Sequence, residues 1–249
     1  MSGLKPFLSL VADGKTLSEV EARDAFSVIM EGEATDAQIG GFLMALRLRG
    51  ETIDEITGAA LILREKAVTV SAPAGAIDTC GTGGDSKGTF NVSTAAAIVT
   101  AAAGVPVAKH GNKAQTSKSG SADVLAALGV NLDADTVLVE EAMVEAGIGF
   151  LMATRHHGAM GHVAAARGQL GIRTIFNLLG PLANPAGAKR QLIGVFSRDW
   201  IEPMAQVLGR LGVERAWVVH GSDGMDEITT TGPSYVAELK DGAVTMFEV

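Results

Sequence analysis

The sequence predicts an α/β protein in which a small N-terminal helical domain precedes a larger α/β domain built on a mainly parallel sheet. Residues 1–70 carry only helical patterns, whereas residues 71–249 alternate short apolar runs with helical segments that end at glycine. Hydrophobic residues make up 47% of the 249 residues but aromatic residues only 4%, which is typical of aliphatic α/β cores. We therefore place the domain boundary near residue 70.

Capping boxes predict where helices begin in the first domain, because a threonine followed three positions later by Glu or Gln satisfies free backbone N–H groups. The boxes are Thr16 with Glu19, Thr35 with Gln38, and Thr52 with Glu55. Apolar residues follow each box at helical spacing and form the stripes Leu17, Val20 and Ile29; Ile39, Phe42, Leu43 and Leu46; and Ile53, Ile56, Ala60 and Leu63. Two interpretations stay open: a self-contained bundle, or a bundle whose exposed apolar face forms a dimer interface.

The second domain has the pattern of repeated βαβ units. The predicted strands are AID at 76–78, VPVA at 105–108, GFLMA at 149–153, QLIGVF at 191–196 and AWVV at 216–219. The predicted helices span residues 94–103, 119–128, 136–146, 159–169 and 201–211. Glycines stand where helices should end, at Gly104, Gly129, Gly147 and Gly212. Ligands bind at the carboxyl ends of parallel strands, so the loops there should form a site. Those loops are 81–94, 110–121, 153–158 and 220–227.

The segment DTCGTGGDSKGTFNVST at 78–94 combines glycines with hydroxyl side chains, directly before an alanine-rich helical run. Glycines let the backbone approach a ligand closely, so the N–H groups of Gly81 to Asp85 can converge on phosphate oxygens. The following helix directs the positive end of its dipole at the same anion. Further donors are the hydroxyls of Thr89, Ser93 and Thr94. The segment is therefore predicted to bind phosphate.

Two common phosphate loops do not fit this segment. A Walker A loop ends in Gly-Lys-Ser/Thr, whereas here Lys87 precedes Gly88. A dinucleotide-binding loop needs a third glycine or alanine where Ser86 stands, and an acidic residue at the end of the next strand. That strand ends instead in Lys109 and His110. The segment therefore indicates neither of these chemistries.

Other segments also carry candidate functional residues. The loop KHGNKAQTSKSGS at 109–121 is interpreted as a second phosphate-binding loop, with a solvated basic turn as the alternative. Asp226 and Glu227 follow the strand AWVV in a glycine-flanked loop, where they suit a hard cation near solvent; plain surface acids are the alternative. Arg167 lies on a helix of mostly small residues and suits a carboxylate, unless it is an ordinary exposed arginine.

The remaining composition excludes several classes of protein. The five histidines show no metal-ligand spacing and no nucleophile motif accompanies them, so we assign no catalytic residue. Cys80 is expected to be a buried strand residue rather than a reactive thiol. One cysteine excludes an intramolecular disulfide, and no segment resembles a signal peptide, so a cytoplasmic protein is expected. The net charge of −8 argues against a nucleic-acid partner, and the apolar runs are too short to span a membrane.

Several motifs, in order along almost the whole chain, resemble the anthranilate phosphoribosyltransferase family. They are GTGGD at 81–85, NVST at 91–94, KHGN at 109–112, SKSGSADVLAALGV at 117–130, RTIFNLLGPLANP at 173–185 and GMDEIT at 224–229. The resemblance implies transfer of a phosphoribosyl group from phosphoribosyl pyrophosphate to anthranilate, with Mg²⁺, in tryptophan biosynthesis. It also implies an architecture like that of nucleoside phosphorylases, and a homodimer that associates head to head through the helical domain. Residues 71–249 would then bind phosphoribosyl pyrophosphate.

The family motifs assign site residues by position. Those that match phosphoribosyl pyrophosphate contacts are Gly81, Gly84, Asp85, Thr89, Asn91, Val92, Ser93, Thr94, Lys109, His110, Gly111, Asn112, Lys113, Ala114, Gln115, Thr116, Ser117 and Ser121. Those that match anthranilate contacts are Gly81, Asn112 and Arg167. Those that match magnesium ligands are Ser93, Asp226 and Glu227. No general base is required, because the amine of anthranilate is already unprotonated at neutral pH.

The chain departs from the family pattern at several positions. Thr154 and Gly158 stand where prolines are usual, Gly161 where a basic residue is usual, and Lys113 where arginine is usual. We expect more backbone freedom around the acceptor, because proline restricts the chain. Family members continue beyond the equivalent of Val249, so the chain is expected to be truncated. Two alternatives remain: a nucleoside phosphorylase of related architecture, and a non-catalytic nucleotide- or nucleic-acid-binding relative.

Overall fold

The computed structural model describes residues 3–85, 87–114 and 119–249. The helices are α1 Lys5–Ala12, α2 Glu19–Met30, α3 Asp36–Arg49, α4 Ile53–Glu65, α5 Val92–Ala102, α6 Ser121–Ala127, α7 Thr136–Glu145, α8 Ala153–His156, α9 Gly161–Leu170, α10 Phe176–Leu179 and α11 Ile201–Arg210. The strands are β1 Ile77–Asp78, β2 Val107–Gly111, β3 Ile148–Met152, β4 Arg190–Gly194, β5 Arg215–Gly221, β6 Ser234–Lys240 and β7 Ala243–Glu248. Short 3₁₀ turns occur at Gly158–Met160, Gly180–Leu182 and Arg198–Trp200.

These elements form two compact units. The helical unit contains the residues up to Ala67 together with His157–Ala183, and the α/β unit contains Val68–His156 and Asn184–Val249. The first break lies close to the boundary predicted near residue 70. The segment His157–Ala183 differs from the prediction, which assigned it to the α/β domain. Its helices pack inside the bundle, which a local helical pattern cannot reveal.

Phe26 forms the centre of the helical unit. Its ring packs edge to face against Phe42 and against Phe176, at 5.8 Å between centroids in both cases. The Arg64 guanidinium donates to the Leu182 carbonyl at 2.6 Å. Because Phe176 and Leu182 come from the later segment, aromatic packing and this hydrogen bond join it to the first helices.

Two of the predicted capping boxes are confirmed and one is wrong. The boxes at Thr35 and Thr52 are present. The first box is formed by Ser18 and Glu21 rather than by Thr16 and Glu19. The Ser18 N–H donates to the Glu21 carboxylate at 2.9 Å, and the Glu21 N–H donates to the Ser18 hydroxyl at 3.3 Å. The start of α2 is therefore two residues later than predicted.

This shift also changes the first apolar stripe. Leu17 and Ile29 are buried as predicted, but Val20 is 69% exposed. Val20 follows the true N-cap by two positions and so falls on the outer face of α2. The helix buries Ala22 and Phe26 in its place.

The α/β unit contains a mixed sheet with the strand order β3-β2-β1-β4-β5-β6-β7. The pairs from β3 through β5 are parallel, and β6 and β7 add antiparallel pairs at one side. All strands predicted from the sequence are present, and the predicted fold class is confirmed. The glycines predicted to end helices, Gly104, Gly129, Gly147 and Gly212, have positive φ angles of 88°, 88°, 75° and 76°.

The strand order reverses beside β1. The chain runs from β1 outward to β2 and β3, and then returns to place β4 and β5 on the other side of β1. In open sheets of this kind, the crevice at the carboxyl ends of the strands next to the reversal is the usual ligand site. The loops after β1 and β4 should therefore carry function. Within the described residues, no helix combines the length and the apolar character needed to cross a membrane.

Candidate functional site

The first glycine-rich loop leaves the carboxyl end of β1 next to β4, where the strand order reverses. The Thr82 N–H donates to the Gly194 carbonyl at 2.8 Å, and the Phe196 N–H donates to the Thr82 hydroxyl at 3.1 Å. Gly83 and Gly84 follow with φ angles of +65° and +82°. Residues other than glycine rarely adopt such positive φ angles. No described atom lies within 4 Å of a Cβ built on Gly83. The loop is thus fixed by hydrogen bonds at Thr82 and open at Gly83.

Three carboxylates face this loop. Asp85 belongs to the loop itself, and Asp226 and Glu227 belong to the segment that follows β5. The Gly83 backbone N–H faces the Asp226 carboxylate and lowers its pKa. The Ser93 N–H, in the first turn of α5, acts on the Glu227 carboxylate in the same way. The structure therefore brings the predicted metal residues, Ser93, Asp226 and Glu227, together with the first loop.

Two glycines make this approach possible. A Cβ on Gly194, the last residue of β4, would clash with the backbone carbonyl of Asp226. A Cβ on Gly81 would lie 3.2 Å from the Gly194 carbonyl oxygen and 3.3 Å from Oδ2 of Asp226. Because no side chain intervenes, the segment that carries the acids packs directly on the end of β4.

Burial and mutual repulsion raise the pKa values of two of these acids. Burial raises the pKa of Asp226 from 3.8 to about 6, and the negative charge of Asp85 adds to the rise. Burial also raises the pKa of Glu227 from 4.5 to about 7, with a further contribution from Asp226, while the charge of Lys109 opposes it. Both acids are partly buried. Both acids are therefore less exposed than free surface carboxylates but keep some contact with solvent.

The donor set fits a hard divalent cation. Oδ2 of Asp85 is buried and accepts no hydrogen bond from the part of the chain that the structure describes. Carboxylate oxygens are the ligands that Mg²⁺ prefers. A cation among these acids would relieve the repulsion that raises the pKa values of Asp226 and Glu227. These three acids could therefore hold Mg²⁺.

A buried polar network at the ends of β1 and β2 adjoins the acids. Lys109 is 1% exposed, and its ammonium donates to the Thr79 carbonyl at 2.8 Å. Asp78 is fully buried and accepts from the His110 N–H at 3.1 Å and from the Asn184 amide at 2.7 Å. Burial raises the pKa of Asp78 to about 6, and the charge of Lys109 opposes the rise. Lys109 is thus a buried cation rather than part of a solvated basic turn.

The second loop meets the start of α5. The Asn91 amide donates to the Ser119 carbonyl at 3.1 Å, and the Thr94 hydroxyl donates to the Ser121 hydroxyl at 3.0 Å. The Thr94 hydroxyl also lies 3.2 Å from the Asn91 side-chain oxygen, which is its alternative acceptor. Predicted residues from both loops are therefore brought together on one side of α5.

Asp123 fixes the return of the second loop into α6. Its carboxylate accepts the backbone N–H groups of Ala114 and Gly120 at 2.9 and 2.8 Å. The Lys113 N–H donates to the Asn112 side chain at 2.8 Å. The backbone of Ala114 and the side chain of Asn112 are therefore ordered by local hydrogen bonds. Gln115, Thr116 and Ser117 lie outside the described residues, so the contacts predicted for them stay predictions.

Arg167 lies on α9 in the helical unit, whereas the other predicted site residues that the structure describes belong to the α/β unit. Its guanidinium carbon is 5.1 Å from the centroid of the Phe176 ring, which is a cation–π distance. Burial lowers the pKa of Arg167, because desolvation disfavours the charged form. It is therefore not the freely exposed helical arginine that was the alternative.

Cys80 follows β1 instead of lying within it, which corrects the expectation of a strand residue. Burial of its thiol raises the pKa to about 12, so it is not a reactive thiolate. Its sulfur, the Asp78 carboxylate and a ring nitrogen of His110 all lie within 4.8 Å of one another. Sequence spacing gave no sign of this cluster, because β2 brings His110 beside β1 from a distant part of the chain.

Sequence patterns did not single out Asp78, Asn184 or Gly194. Each had a weak signal: an acid that closes the apolar strand AID, an asparagine within GPLANP, and a glycine inside the strand QLIGVF. A strand glycine often marks the close approach of another backbone, which is its role here. These signals become specific only once the strand order is known.

Known protein families match both parts of the chain. A family model described as "Glycosyl transferase family, a/b domain" matches residues 74–249, and one described as "Glycosyl transferase family, helical bundle domain" matches residues 5–67. An anthranilate phosphoribosyltransferase of Rhodospirillum rubrum is 68% identical over 246 residues, which cover 99% of this chain and 71% of that protein. The chain belongs to the anthranilate phosphoribosyltransferase family.

Solved structures of anthranilate phosphoribosyltransferases share the fold. The enzyme from Thermus thermophilus matches with a TM-score of 0.90 at 47% identity, over 97% of this chain and 72% of that one. The enzyme from Saccharomyces cerevisiae, in complex with phosphoribosyl pyrophosphate and Mg, matches with a TM-score of 0.87 at 31% identity, over 99% and 72%. The family resemblance of the motifs is thereby confirmed.

Three of the four departures from the anthranilate phosphoribosyltransferase pattern lie between α8 and the start of α9, and the fourth, Lys113, lies in the second loop. Thr154 lies in α8, and Gly158 begins a 3₁₀ turn that Gly161 follows. No described atom lies within 4 Å of a Cβ built on Gly158 or Gly161. Packing against the described residues therefore does not require glycine at either position.

Proposed function

We propose that the chain transfers the phosphoribosyl group of phosphoribosyl pyrophosphate to the amine of anthranilate, giving N-(5-phosphoribosyl)anthranilate and pyrophosphate. One observation carries the proposal: a glycine-rich loop, the first turn of α5 and three carboxylates meet where the strand order reverses. Such a site suits a diphosphate that arrives with a divalent cation. Membership of the family supports anthranilate as the acceptor.

The first and second loops are proposed to bind phosphoribosyl pyrophosphate. The open space around Gly83 and the positive φ angles of Gly83 and Gly84 support a close approach of phosphate oxygens to the backbone of this loop. The hydroxyl and amide groups of Asn91, Thr94 and Ser121 form one cluster beside α5, which supports binding of hydroxyl or phosphate oxygens there. The roles of individual residues in this set remain part of the proposal.

Magnesium is proposed to bind among Asp85, Asp226 and Glu227, with the Ser93 hydroxyl as a further ligand. The buried Oδ2 of Asp85 and the raised pKa values of the other two acids support this assignment. The complex of the yeast relative with Mg supports it as well. When bound, Mg²⁺ supplies electrostatic stabilisation of the departing pyrophosphate.

Arg167 is proposed to bind the carboxylate of anthranilate, with Gly81 and Asn112 as further contacts. Its guanidinium already stacks on Phe176, and a planar guanidinium holds a carboxylate through paired hydrogen bonds. Stacking leaves the edge of the guanidinium for such bonds, because cation–π contact uses its face. This geometry supports an aromatic acid as the acceptor.

The residues of the chain contribute positioning and charge, and none forms a covalent bond. The amine nitrogen of anthranilate bonds to C1 of the ribose as the bond from C1 to the pyrophosphate oxygen breaks. The proton released from the amine passes to solvent. Fixed backbone dipoles act where charge develops on the leaving group, which is an effective form of catalysis.

Pyrophosphate release separates the proposed function from its rivals. Release that requires anthranilate supports the transfer reaction. Release of a nucleobase from a nucleoside with inorganic phosphate would identify a nucleoside phosphorylase. Binding of phosphoribosyl pyrophosphate without turnover would identify a non-catalytic relative. Calorimetric titration of phosphoribosyl pyrophosphate with and without Mg²⁺ tests the first loop independently of the acceptor.

We also propose that the protein is a cytoplasmic homodimer associated through residues 1–70. Exposed apolar side chains in that region, Val20 at 69% and Leu48 at 80%, support an interface there. The single cysteine and the biosynthetic family support the cytoplasm. Light scattering on the parent and on Val20→Glu with Leu48→Glu tests the dimer: the parent should have twice the mass of the variant.

A further inference from the structure

We propose that Asp78, Cys80 and His110 form a binding site for a soft divalent cation of the Zn²⁺ class, separate from the acids Asp226 and Glu227 that suit Mg²⁺. The Cys80 sulfur, an Asp78 carboxylate oxygen and a ring nitrogen of His110 lie within 4.8 Å of one another. Zinc bonds place ligand atoms roughly 3.3–3.8 Å apart in a tetrahedral site. Side-chain movements of about 1 Å would therefore close the cluster around one ion.

The chemistry of the donors selects the metal. A thiolate, an imidazole and a carboxylate suit Zn²⁺, whereas Mg²⁺ takes oxygen ligands and dehydrates reluctantly. The Asp78 carboxylate is already oriented by the Asn184 amide at 2.7 Å and by the His110 N–H at 3.1 Å. Such outer hydrogen bonds are typical of metal-binding carboxylates, which keep further lone pairs for the ion.

The charge balance also favours one dication. Asp78 and a Cys80 thiolate would together neutralise Zn²⁺, and the charges of Asp226 and Glu227 also act at the thiol. Lys109 opposes binding, because its buried ammonium acts on the same two groups. Burial keeps the thiol protonated in the free protein. Metal binding should therefore release a proton from the sulfur, as thiolate ligation requires.

Occupation of this site should inhibit phosphoribosyl transfer, a consequence that rests on the proposed function. His110 belongs to the second candidate loop, and Asp78 accepts its backbone N–H. An ion bound between β1 and β2 would fix both residues and place positive charge beside Lys109. The geometry of the ammonium and of the loop would then change. Metal binding itself does not depend on the function.

Cobalt spectroscopy tests the site directly. The chain has one cysteine, so a thiolate-to-Co²⁺ charge-transfer band reports Cys80 alone. Titration of the whole protein with Co²⁺, without thiol reductants, should produce this band at one equivalent. Zn²⁺ should remove the band, and excess Mg²⁺ should not. A parent protein without the band, or a band that Mg²⁺ removes, would overturn the proposal.

Variants locate the ligands. Cys80→Ser should abolish the band, and Asp78→Asn should weaken Co²⁺ binding at least about tenfold. The matched control is Asp226→Asn with Glu227→Gln, which should keep the band. Loss of the band in this control, with the fold intact by circular dichroism, would assign the ion to the acids and overturn the proposal. The spectrum of the parent still tests for a thiolate-bound metal ion even if a variant does not fold.

Inhibition is measured separately. The Zn²⁺ concentration that halves pyrophosphate release, relative to the activity of each protein without Zn²⁺, should rise at least about tenfold in Cys80→Ser. Equal inhibition of parent and variant would overturn the inhibitory role. A cobalt band without any transfer activity would refute the proposed function and leave the metal site standing, so the two failures are distinguishable.

Discussion

The acids of the candidate cation site should destabilise the metal-free protein, so removing their charges should stabilise it. We expect the double variant Asp226→Asn with Glu227→Gln to melt at a higher temperature than the parent in the absence of divalent cations. The amide side chains keep an oxygen that can face the Gly83 and Ser93 N–H groups, which lower the pKa values of the two carboxylates in the parent. Only the repulsion and the desolvation of charge are lost.

The magnitude follows from the raised pKa values. A rise from 3.8 to about 6 for Asp226 corresponds to roughly 3 kcal/mol, at about 1.36 kcal/mol per pH unit. Glu227, raised from 4.5 to about 7, gives a similar figure. The two figures share their mutual repulsion and both groups keep some solvent contact, so we expect a net gain of roughly 1–3 kcal/mol. For a chain of this size that is about 3–10 °C.

The pH dependence has a definite sign. Each acid binds its proton more tightly in the folded state, so the free energy of unfolding falls as pH rises from about 4, the unfolded pKa, through the folded values of about 6 and 7. The gain in the variant should therefore be largest near pH 8 and small near pH 5. Mg²⁺ should raise the melting temperature of the parent at pH 8 and leave that of the variant unchanged.

Differential scanning calorimetry in chelator-treated buffer measures this gain. A matched control is Asp223→Asn in the same segment, because hydrogen bonds from Thr229 and Met225 lower the pKa of that carboxyl. Its charge is favourable, so this variant should melt at a lower temperature than the parent. Equal or lower stability of the double variant at pH 8 would show that the two acids do not repel each other in the fold, and the cation site would lose its basis.

Three further outcomes are expected. Arg167→Ala should raise the KM for anthranilate about ten- to a hundredfold, because a charge-assisted hydrogen bond contributes about 1.5–3 kcal/mol. The KM for phosphoribosyl pyrophosphate should change little. An equal change in both KM values would indicate a packing role for Arg167. Gly83→Ala should weaken phosphoribosyl pyrophosphate binding measured by calorimetry. The control Gly187→Ala, at a glycine with a similar φ of +60° and open space around it, should only lower the melting temperature. If the affinity of Gly83→Ala stays within about threefold of the parent, roughly 0.6 kcal/mol, the phosphate role of the loop is refuted. Gly194→Ala should raise the Mg²⁺ concentration needed for activity, because its Cβ would displace Asp226; an unchanged Mg²⁺ requirement would contradict this contact.

The fold could be predicted where the signal is local. Thr35 and Thr52 each cap a helix with the residue three positions later, and nothing nearby competes with them. Before α2, Thr16 and Ser18 both precede a glutamate by three residues, and only Ser18 forms the N-cap of the helix. The segment 157–183 reads as helical in either unit, because its partner Phe26 is far away in sequence.

Local sequence patterns predict the residues of the candidate site, but they do not predict the environment of those residues. Glycines, hydroxyl side chains and acids identify the two candidate phosphate loops and the segment of Asp226 and Glu227, because these groups suit phosphate and metal ions. The partial burial of Asp226 depends on Gly194, and the burial of Lys109 depends on the pairing of β2 with its neighbours. Such packing arises from strand order, which no local pattern encodes. The cluster of Cys80 with His110 was missed for the same reason.

The position of Glu227 beside the Ser93 N–H, which lowers the pKa of this acid, has a kinetic consequence. In the free protein, the positive end of α5 already faces an acidic group that belongs to the chain. A phosphate that arrives alone must displace this acidic group and must also approach Asp85 and Asp226. A phosphate that arrives with a divalent cation meets no such barrier. The cation can coordinate Glu227 and leave the N-terminal N–H groups of α5 available to the phosphate. The site therefore favours a diphosphate that is already bound to a cation. Diphosphate without a cation should bind slowly as well as weakly.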